Sequence, residues 1–151
     1  MTAALAGAAV LAAVGTAAVV QHTQTARRLP PAGASSEQVL RAYLRAAVAH
    51  DCAVTEALTA TGAPGGPHAA WCGQRQATSW FDEHPDMLAY RNIGAVERIP
   101  ADERGGVAEQ CIPVDVTQTN MTGDDPGTLP GWQFCFRHTG DGWRLYDEGY
   151  G

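Results

Sequence analysis

The sequence predicts an α+β domain, with helices in its first half, an antiparallel meander of about four strands in its second, and one apolar helix ahead of both. Three observations support this. The first 26 residues carry no formally charged side chain. Apolar residues then recur at helical spacing, and after Met87 they alternate with polar ones. The expected organisation is an anchor helix over residues 1–20, a linker over 21–34 and a single domain over 35–151.

The apolar segment, residues 1–20, has the length of one bilayer crossing, which takes roughly 20 residues at 1.5 Å each. It predicts a signal-anchor that holds the protein in the lipid bilayer, with the domain outside the cytoplasm. No basic residue precedes it, whereas Arg27 and Arg28 follow it, and this alone favours the opposite orientation. We expect that basic residues upstream of the written start have been lost, which explains why the charges favour the opposite orientation. A cleaved signal peptide, which releases a secreted domain, and a buried helix are the alternatives.

The charge balance excludes one class of partner. Beyond residue 34, eight arginines face sixteen acidic residues, a balance of −8, and the chain contains no lysine. A nucleic-acid-binding surface needs a basic face to neutralise phosphates. We therefore expect no nucleic-acid partner. The absence of lysine and the Ala, Gly and Arg content are typical of a GC-rich genome.

Helices are expected in the first half of the domain. Ser35 and Gln38 fit a capping box at a helix start. The helix that follows carries an apolar stripe made of Val39, Leu40, Tyr43, Leu44, Ala47 and Val48. Asp51 is placed to cap a second short helix over residues 53–58, and a third helical piece is expected over 69–81.

Four strands are expected, over residues 88–99, 106–119, 132–138 and 143–148. If Cys111 faces Cys135 on neighbouring strands, Glu109 faces Arg137 and Ile112 faces Phe134. One face then carries the disulfide and an ion pair, and the other carries apolar side chains. A slip of one residue destroys this segregation, so the register is well specified.

The last hairpin gives a second, separate register. Gly140-Asp141 is good chemistry for a two-residue turn. It places Leu145 opposite Phe136 and Trp143 opposite His138, on the apolar face already defined. Both registers therefore predict the same buried face.

The four cysteines allow three pairings, of which we favour Cys52–Cys72 with Cys111–Cys135. Small domains outside the cytoplasm use such bridges, and each closes a loop that adds about 3 kcal/mol in the entropic model. The alternative is a zinc site, whose ligands are His50, Cys52, His68 and Cys72. That spacing matches no common zinc module, so we expect neither metal nor cofactor.

Two strings, residues 44–58 and 140–147, resemble the nuclear transport factor 2-like superfamily. The similarity is to its small exported or membrane-anchored actinobacterial members, whose function is unassigned, and it covers about residues 35–151. It implies a cone in which helices pack on a curved sheet and leave a pocket. Some relatives are isomerases or cyclases, and many others are binding or accessory domains.

The resemblance and the registers together give a candidate pocket, lined by Tyr43, Tyr90, Phe134, Phe136, His138, Trp143 and Asp147. Isomerase-like members use a carboxylate base and an oxyanion hole that contains a tyrosine. Asp147, Tyr43 and His138 are the groups available for such a set, and Asp147 is expected on the face of Trp143 and Leu145. Each of the three also has an ordinary structural role, and nothing in their spacing requires catalysis.

No other catalytic motif is present, since the chain has no nucleophile elbow, phosphate loop or dinucleotide fingerprint. We therefore expect a non-enzymatic accessory domain, membrane-tethered outside the cytoplasm, that binds a small ligand or an envelope protein. A pocket enzyme of the isomerase or cyclase type is one alternative. An interaction module of a cell-envelope assembly is the other.

Overall fold

The computed structural model describes residues 28–64, 71, 85–103, 105–119 and 126–150. Within these ranges two complete helices, α1 and α2, precede five strands, β1 to β5, and a short 3-10 turn at Ala101–Glu103 joins β2 to β3. Their bounds are α1 Ser36–Val48, α2 Cys52–Leu58, β1 Met87–Arg91, β2 Glu97–Ile99, β3 Glu109–Gln118, β4 Gly127–Thr139 and β5 Gly142–Gly149. The α+β class is confirmed: both helices pack on a curved antiparallel sheet.

The sheet has five strands where about four were expected, because the first predicted strand, residues 88–99, is split into β1 and β2. Both segments pair with β3, on the same edge. The split lies opposite Pro113, which has no N–H to donate and whose carbonyl accepts from Gly94 N at 2.8 Å. A Cβ at Gly94 would stand 2.6 Å from Pro113 Cγ, and Asn92 has a φ of 51°. Pro113 thus interrupts the strand next to β3 and divides it into β1 and β2.

Helix α1 begins with the predicted capping box. Gln38 N donates to Ser35 Oγ at 3.3 Å, and Ser35 N donates to Gln38 Oε1 at 2.9 Å. Ser36 Oγ donates to Gln110 Oε1 at 2.5 Å, which joins the helix start to β3. The apolar stripe of α1 faces the sheet, with Leu40, Tyr43 and Leu44 fully buried.

Helix α2 forms where it was expected, but Asp51 does not cap it with its side chain. The carboxylate instead forms an ion pair with Arg28, which draws the acceptor away from the helix N–H groups. After α2, Ala60 N donates to Leu145 O at 2.7 Å. This bond covers part of the outer edge of β5.

The β3–β4 register is the predicted one. Cys111 lies opposite Cys135, Glu109 opposite Arg137 and Ile112 opposite Phe134. Strand β4 begins at Gly127 rather than at residue 132. The pairing with β3 shifts its register at Asp115 and then continues to Gly127. Gly131, with a φ of 66°, donates its N–H to Asp115 Oδ1 at 2.9 Å there.

The β4–β5 register is the predicted one near the turn and changes farther along. Leu145 lies opposite Phe136, as expected, but the register then shifts, so that Asp147 lies opposite Cys135 and Glu148 opposite Phe134. The extra residue in β5 is a β-bulge, which reverses the alternation beyond it. The expectation that Asp147 shares a face with Leu145 is therefore wrong, and Glu148 occupies the inward position.

The end of the predicted linker packs against the domain. Ala34 is buried in the core and Leu29 lies against it. The chain here passes over the last hairpin so closely that a Cβ on Gly142 would stand 2.6 Å from Ala32 O. Residues 29–34 thus contribute to the packing of this hairpin.

Three sequence predictions fall outside the described residues: the anchor helix over 1–20, most of the helical piece over 69–81, and the positions of His68 and Cys72. Within the described ranges, no helix is both long enough and apolar enough to span a bilayer.

Candidate functional site

The predicted cross-strand disulfide is present between Cys111 and Cys135, with their Cα atoms 4.0 Å apart. Both residues are buried. A bridge of this kind persists in oxidising compartments, which agrees with a domain outside the cytoplasm. Cys52 is also disulfide-bonded, so its thiol is not free to bind zinc. Because Cys72 lies outside the described residues, the Cys52–Cys72 pairing stays a prediction.

The structure separates the groups expected to line one pocket. Tyr43, Phe134 and Phe136 are fully buried between α1 and the sheet. Tyr90 and Trp143 pack half-buried against that core. His138 and Asp147 are exposed. These seven residues thus range from fully buried to exposed, so they do not line one pocket.

Tyr43, His138 and Asp147 do not form a catalytic set. His138 lies opposite Trp143 near the β4–β5 turn, with ring centroids 5.1 Å apart. Asp147 lies opposite Cys135, on the far face of the sheet. Tyr43 packs on the near face, its ring 6.0 Å from that of Phe134.

A carboxyl that the sequence did not single out lies beside Tyr43. Glu148 is partly buried, and its Oε2 accepts from Trp71 Nε1 at 2.6 Å. Burial raises the pKa of Glu148 to about 7. The hydrogen bond from Trp71 lowers this pKa, and the negative charge of Asp147 raises it. The N–H of Trp132 has the smallest effect and lowers it. The change of protonation state of Glu148 is thus moved from the acidic range toward neutral pH.

Near Glu148, among the residues that the structure describes, one buried donor has no partner and a second is poorly paired. Tyr43 is 0% exposed and its hydroxyl makes no hydrogen bond to any residue that the structure describes. Burial and the charge of Glu148 hold the pKa of Tyr43 well above its usual value, so the hydroxyl stays protonated. Trp132 Nε1 is also buried and forms no hydrogen bond of good geometry with the described residues, although it lies close enough to Glu148 to lower the pKa of that carboxyl. We call Tyr43, Trp71, Trp132 and Glu148 the Glu148 cluster.

Aromatic rings connect this cluster to the surface. Trp71 and Trp132 meet edge to face, with ring centroids 6.2 Å apart. Trp132 meets Tyr150 in the same way at 5.1 Å. Because Tyr150 is 61% exposed, the three rings lead from the buried carboxyl to solvent.

A concave region lies on the face of the sheet that points away from α1. It is an open groove of about 620 Å³ that has the disulfide in its lining and reaches Glu148 and Tyr150 at the end of β5. Glu97, Cys111, Cys135 and Asp147 are cross-strand neighbours in one row. We call this region the disulfide groove.

Arg137 and Arg144 lie opposite each other on this face, across β4 and β5, and Arg137 is already engaged. Arg137 Nη2 lies 2.7 Å from Glu109 Oε1, and its guanidinium carbon lies 3.3 Å from the centre of the Tyr146 ring. Glu109 and the two cysteines bring three potential metal-ligand atoms together. Since the sulfurs are bonded to each other and the carboxylate to Arg137, these atoms do not form a metal site.

Sequence analysis missed Glu148 because strict alternation along β5 assigns the inward position to Asp147. The available signal was the pair of adjacent acids near the strand end, either of which a bulge turns inward. Comparison of the chain with protein-family models, curated proteins and solved structures finds no match.

Proposed function

We propose that this chain is a membrane-tethered domain outside the cytoplasm that binds a small ligand at the Glu148 cluster without transforming it. Its fold type, on this proposal, is that of the nuclear transport factor 2-like superfamily. The observation that carries the binding role is the fully buried Tyr43 hydroxyl, which has no hydrogen-bond partner beside a carboxyl of raised pKa. The Cys111–Cys135 bridge supports the location.

Buried polar groups without partners are uncommon, because each costs about 1–3 kcal/mol. Among the described residues, the Glu148 cluster holds one such group, the hydroxyl of Tyr43, and a second donor, the indole N–H of Trp132, that is only poorly paired with Glu148. A binding site keeps such groups unsatisfied until its ligand supplies the missing acceptors. Ligand sites are typically apolar and aromatic with a few placed polar groups, which describes this cluster.

The polar atoms indicate the chemistry of the ligand. Tyr43 and Trp132 both donate, so the ligand carries an acceptor oxygen, as a carbonyl or hydroxyl compound does. Glu148 completes the contact in either protonation state, since it accepts when ionised and donates when protonated. The surrounding rings favour a largely apolar ligand body.

One observation favours a second candidate, a pocket enzyme of the isomerase or cyclase type. A carboxyl with a pKa of about 7 suits general acid–base catalysis near neutral pH. However, the other expected participants are elsewhere, since His138 lies near the β4–β5 turn and Asp147 on the far face. We therefore favour binding alone.

The test is native mass spectrometry of the full-length protein, recovered with its disulfides intact from its own host. We expect the wild-type protein to carry a small molecule that Tyr43→Phe loses. The matched control is Tyr146→Phe, which removes a hydroxyl on the disulfide face and should keep the ligand. Equal occupancy in all three proteins, or none in the wild type, contradicts the proposal. Conversion of the recovered molecule on incubation supports the enzyme instead.

A further inference from the structure

We infer that the ligand proposed above for the Glu148 cluster is an organic cation, a hydroxyl compound whose ammonium group carries methyl substituents. This rests on the proposed function and goes beyond it, because it assigns a charge and a chemical class to the ligand. Two features of the cluster point to such a ligand: a carboxyl without a cation, and aromatic rings beside it.

Glu148 is a carboxyl that no described basic residue neutralises. It is partly buried, and its contacts are uncharged: Trp71 Nε1 donates at 2.6 Å, and Trp132 Nε1 lies near it with poorer geometry. The preceding acid, Asp147, adds negative charge and forms no ion pair with the described residues either. Carboxylates withdrawn from water are normally paired with a cation. A cationic ligand would supply the missing partner.

Three aromatic rings lie near this carboxyl at steep angles to one another. The planes of Trp71 and Trp132 meet at 88°, and those of Trp132 and Tyr150 at 76°. The face of an aromatic ring attracts a cation that lies within about 6 Å of its centre. Each edge-to-face contact covers one ring face, so ring surface remains for a ligand, above all on the exposed Tyr150. Aromatic rings beside an acid are the usual surroundings of a bound methylated ammonium group.

The polar atoms of the cluster favour a methylated ammonium group over an unsubstituted one. An unsubstituted group brings three N–H donors, whereas the cluster has acceptor atoms only in Glu148 and in the hydroxyl of Tyr43, because an indole accepts none. Methyl groups need no acceptor and pack against the rings. The Tyr43 hydroxyl, buried without a partner among the described residues, then donates to the hydroxyl oxygen of the ligand.

A cation can reach this site and is attracted to it. Glu148 and Tyr150 line one end of the disulfide groove, which is open to solvent. Beyond residue 34 the charge balance is −8, and a field of this sign raises the local concentration of cations.

Binding of a cation should release a proton. Burial raises the pKa of Glu148 to about 7, and a neighbouring positive charge stabilises the ionised form instead. The titratable groups that face Glu148 are Asp147 from β5 and Tyr43 from α1. Tyr43 stays protonated, because burial raises its pKa as well. The affinity should therefore rise with pH.

The test is calorimetric titration of the full-length, oxidised protein, stripped of bound small molecules, at low salt. The probes are choline, ethanolamine, which lacks the methyl groups, and dimethylbutanol, in which a carbon atom replaces the nitrogen and removes the charge. We expect choline to bind most tightly of the three. Its affinity should be about tenfold higher at pH 8 than at pH 6, since only the ionised form of Glu148 is competent.

Two variants separate the charge from the rings. Glu148→Gln should weaken choline binding by at least about tenfold, remove its pH dependence and leave dimethylbutanol binding unchanged. Tyr150→Leu should weaken choline binding about twofold to fivefold, as expected for one cation–π contact at an exposed site. The matched control, Asp141→Asn, removes an exposed acid at the β4–β5 turn and should bind choline like the wild type.

Equal or tighter binding of dimethylbutanol, weakened by Tyr43→Phe, would overturn the inference and leave the proposed function intact, since the site then takes a neutral hydroxyl compound. Tighter binding of ethanolamine would also overturn it. Equal weakening of choline binding by Asp141→Asn and Glu148→Gln would indicate attraction to net charge alone and contradict the inference. No binding of choline contradicts it as well, and the small molecule that Tyr43→Phe loses in native mass spectrometry then decides the proposed function separately.

Discussion

The indole N–H of Trp71 donates to the Glu148 carboxylate at 2.6 Å, across 77 positions of the chain. Trp71 is 1% exposed, so this bond fastens a buried ring to the last strand. It also favours the charged form of a carboxyl that burial would keep neutral. The two effects oppose each other, and burial is the larger.

The raised pKa of Glu148 predicts a stability that depends on pH. The folded protein holds this proton up to about pH 7, whereas the unfolded chain releases it near the ordinary value of 4.5. The stability contributed by the protonated group is therefore fully present below pH 4.5 and is lost as the pH rises through 7. The loss is at most roughly 3 kcal/mol.

Glu148→Gln should remove this part of the pH dependence. The amide stays neutral and still accepts from Trp71, so the variant should match the wild type near pH 4 and exceed its free energy of unfolding at pH 8. Urea denaturation at both pH values measures the difference. Glu97→Gln, an exposed acid on β2, is the control and should keep the wild-type profile. If the free energy of unfolding of Glu148→Gln changes with pH as that of the wild type does, Glu148 does not have a raised pKa in the folded protein.

Trp71→Phe should raise the pKa of Glu148 further. The substitution keeps an aromatic ring but removes the N–H that stabilises the carboxylate. Carbon-13 NMR of the side-chain carboxyl measures the titration directly. A pKa that falls or stays constant would show that the hydrogen bond does not act on Glu148. Trp143→Phe, near the other end of β5, should have no effect.

Tyr43→Phe should leave the ligand-free protein as stable as the wild type or more stable by about 1 kcal/mol, because the lost hydroxyl is buried without a partner. Thermal unfolding of ligand-stripped protein is the measurement. A loss of more than 1 kcal/mol would mean that the hydroxyl already has a partner within the folded chain.

Replacing Cys111 and Cys135 together by Ala should cost about 3 kcal/mol, since the bridge closes a loop with a sequence separation of 24. Guanidinium denaturation of the double variant and the oxidised wild type gives the difference. Reductant should destabilise the wild type more than the variant, because the variant keeps only the bridge formed by Cys52. Equal stability of the two oxidised proteins would show that this bridge does not restrain the unfolded chain.

Gly142→Ala should destabilise the last hairpin by about 1–3 kcal/mol. Gly142 has a φ of 96°, and a Cβ there would stand 2.6 Å from Ala32 O. Gly62→Ala is the matched control, because Gly62 also has a positive φ, of 85°, whereas a Cβ there has no atom within 4 Å. If the two variants lose the same stability, residues 29–34 do not pack over the turn in solution.

Much of the sheet could be predicted from the sequence because two constraints defined its registers separately. The Cys111–Cys135 pair set one hairpin and the Gly140-Asp141 turn set the other, and both buried the same face. The capping box of Ser35 and Gln38 likewise located the start of α1. These are short-range or covalent signals, which depend little on the rest of the fold.

The features that were missed depend on neighbouring strands. Pro113 lies in β3, but the strand that it interrupts is the neighbouring one. The sequence of residues 88–99 therefore contains no proline that would have marked the gap between β1 and β2. The bulge in β5 inserts one residue, which exchanges the roles of Asp147 and Glu148. Because alternation has a period of two, a single insertion changed the predicted site carboxyl.

The most direct test of the account is the titration of Glu148 in the full-length, oxidised protein by carbon-13 NMR of its side-chain carboxyl. The account predicts a pKa of about 7, which marks Glu148 as the carboxyl inside the domain beside Tyr43. Titration at the ordinary value of 4.5 would place Glu148 in solvent. That result would contradict the proposed ligand site.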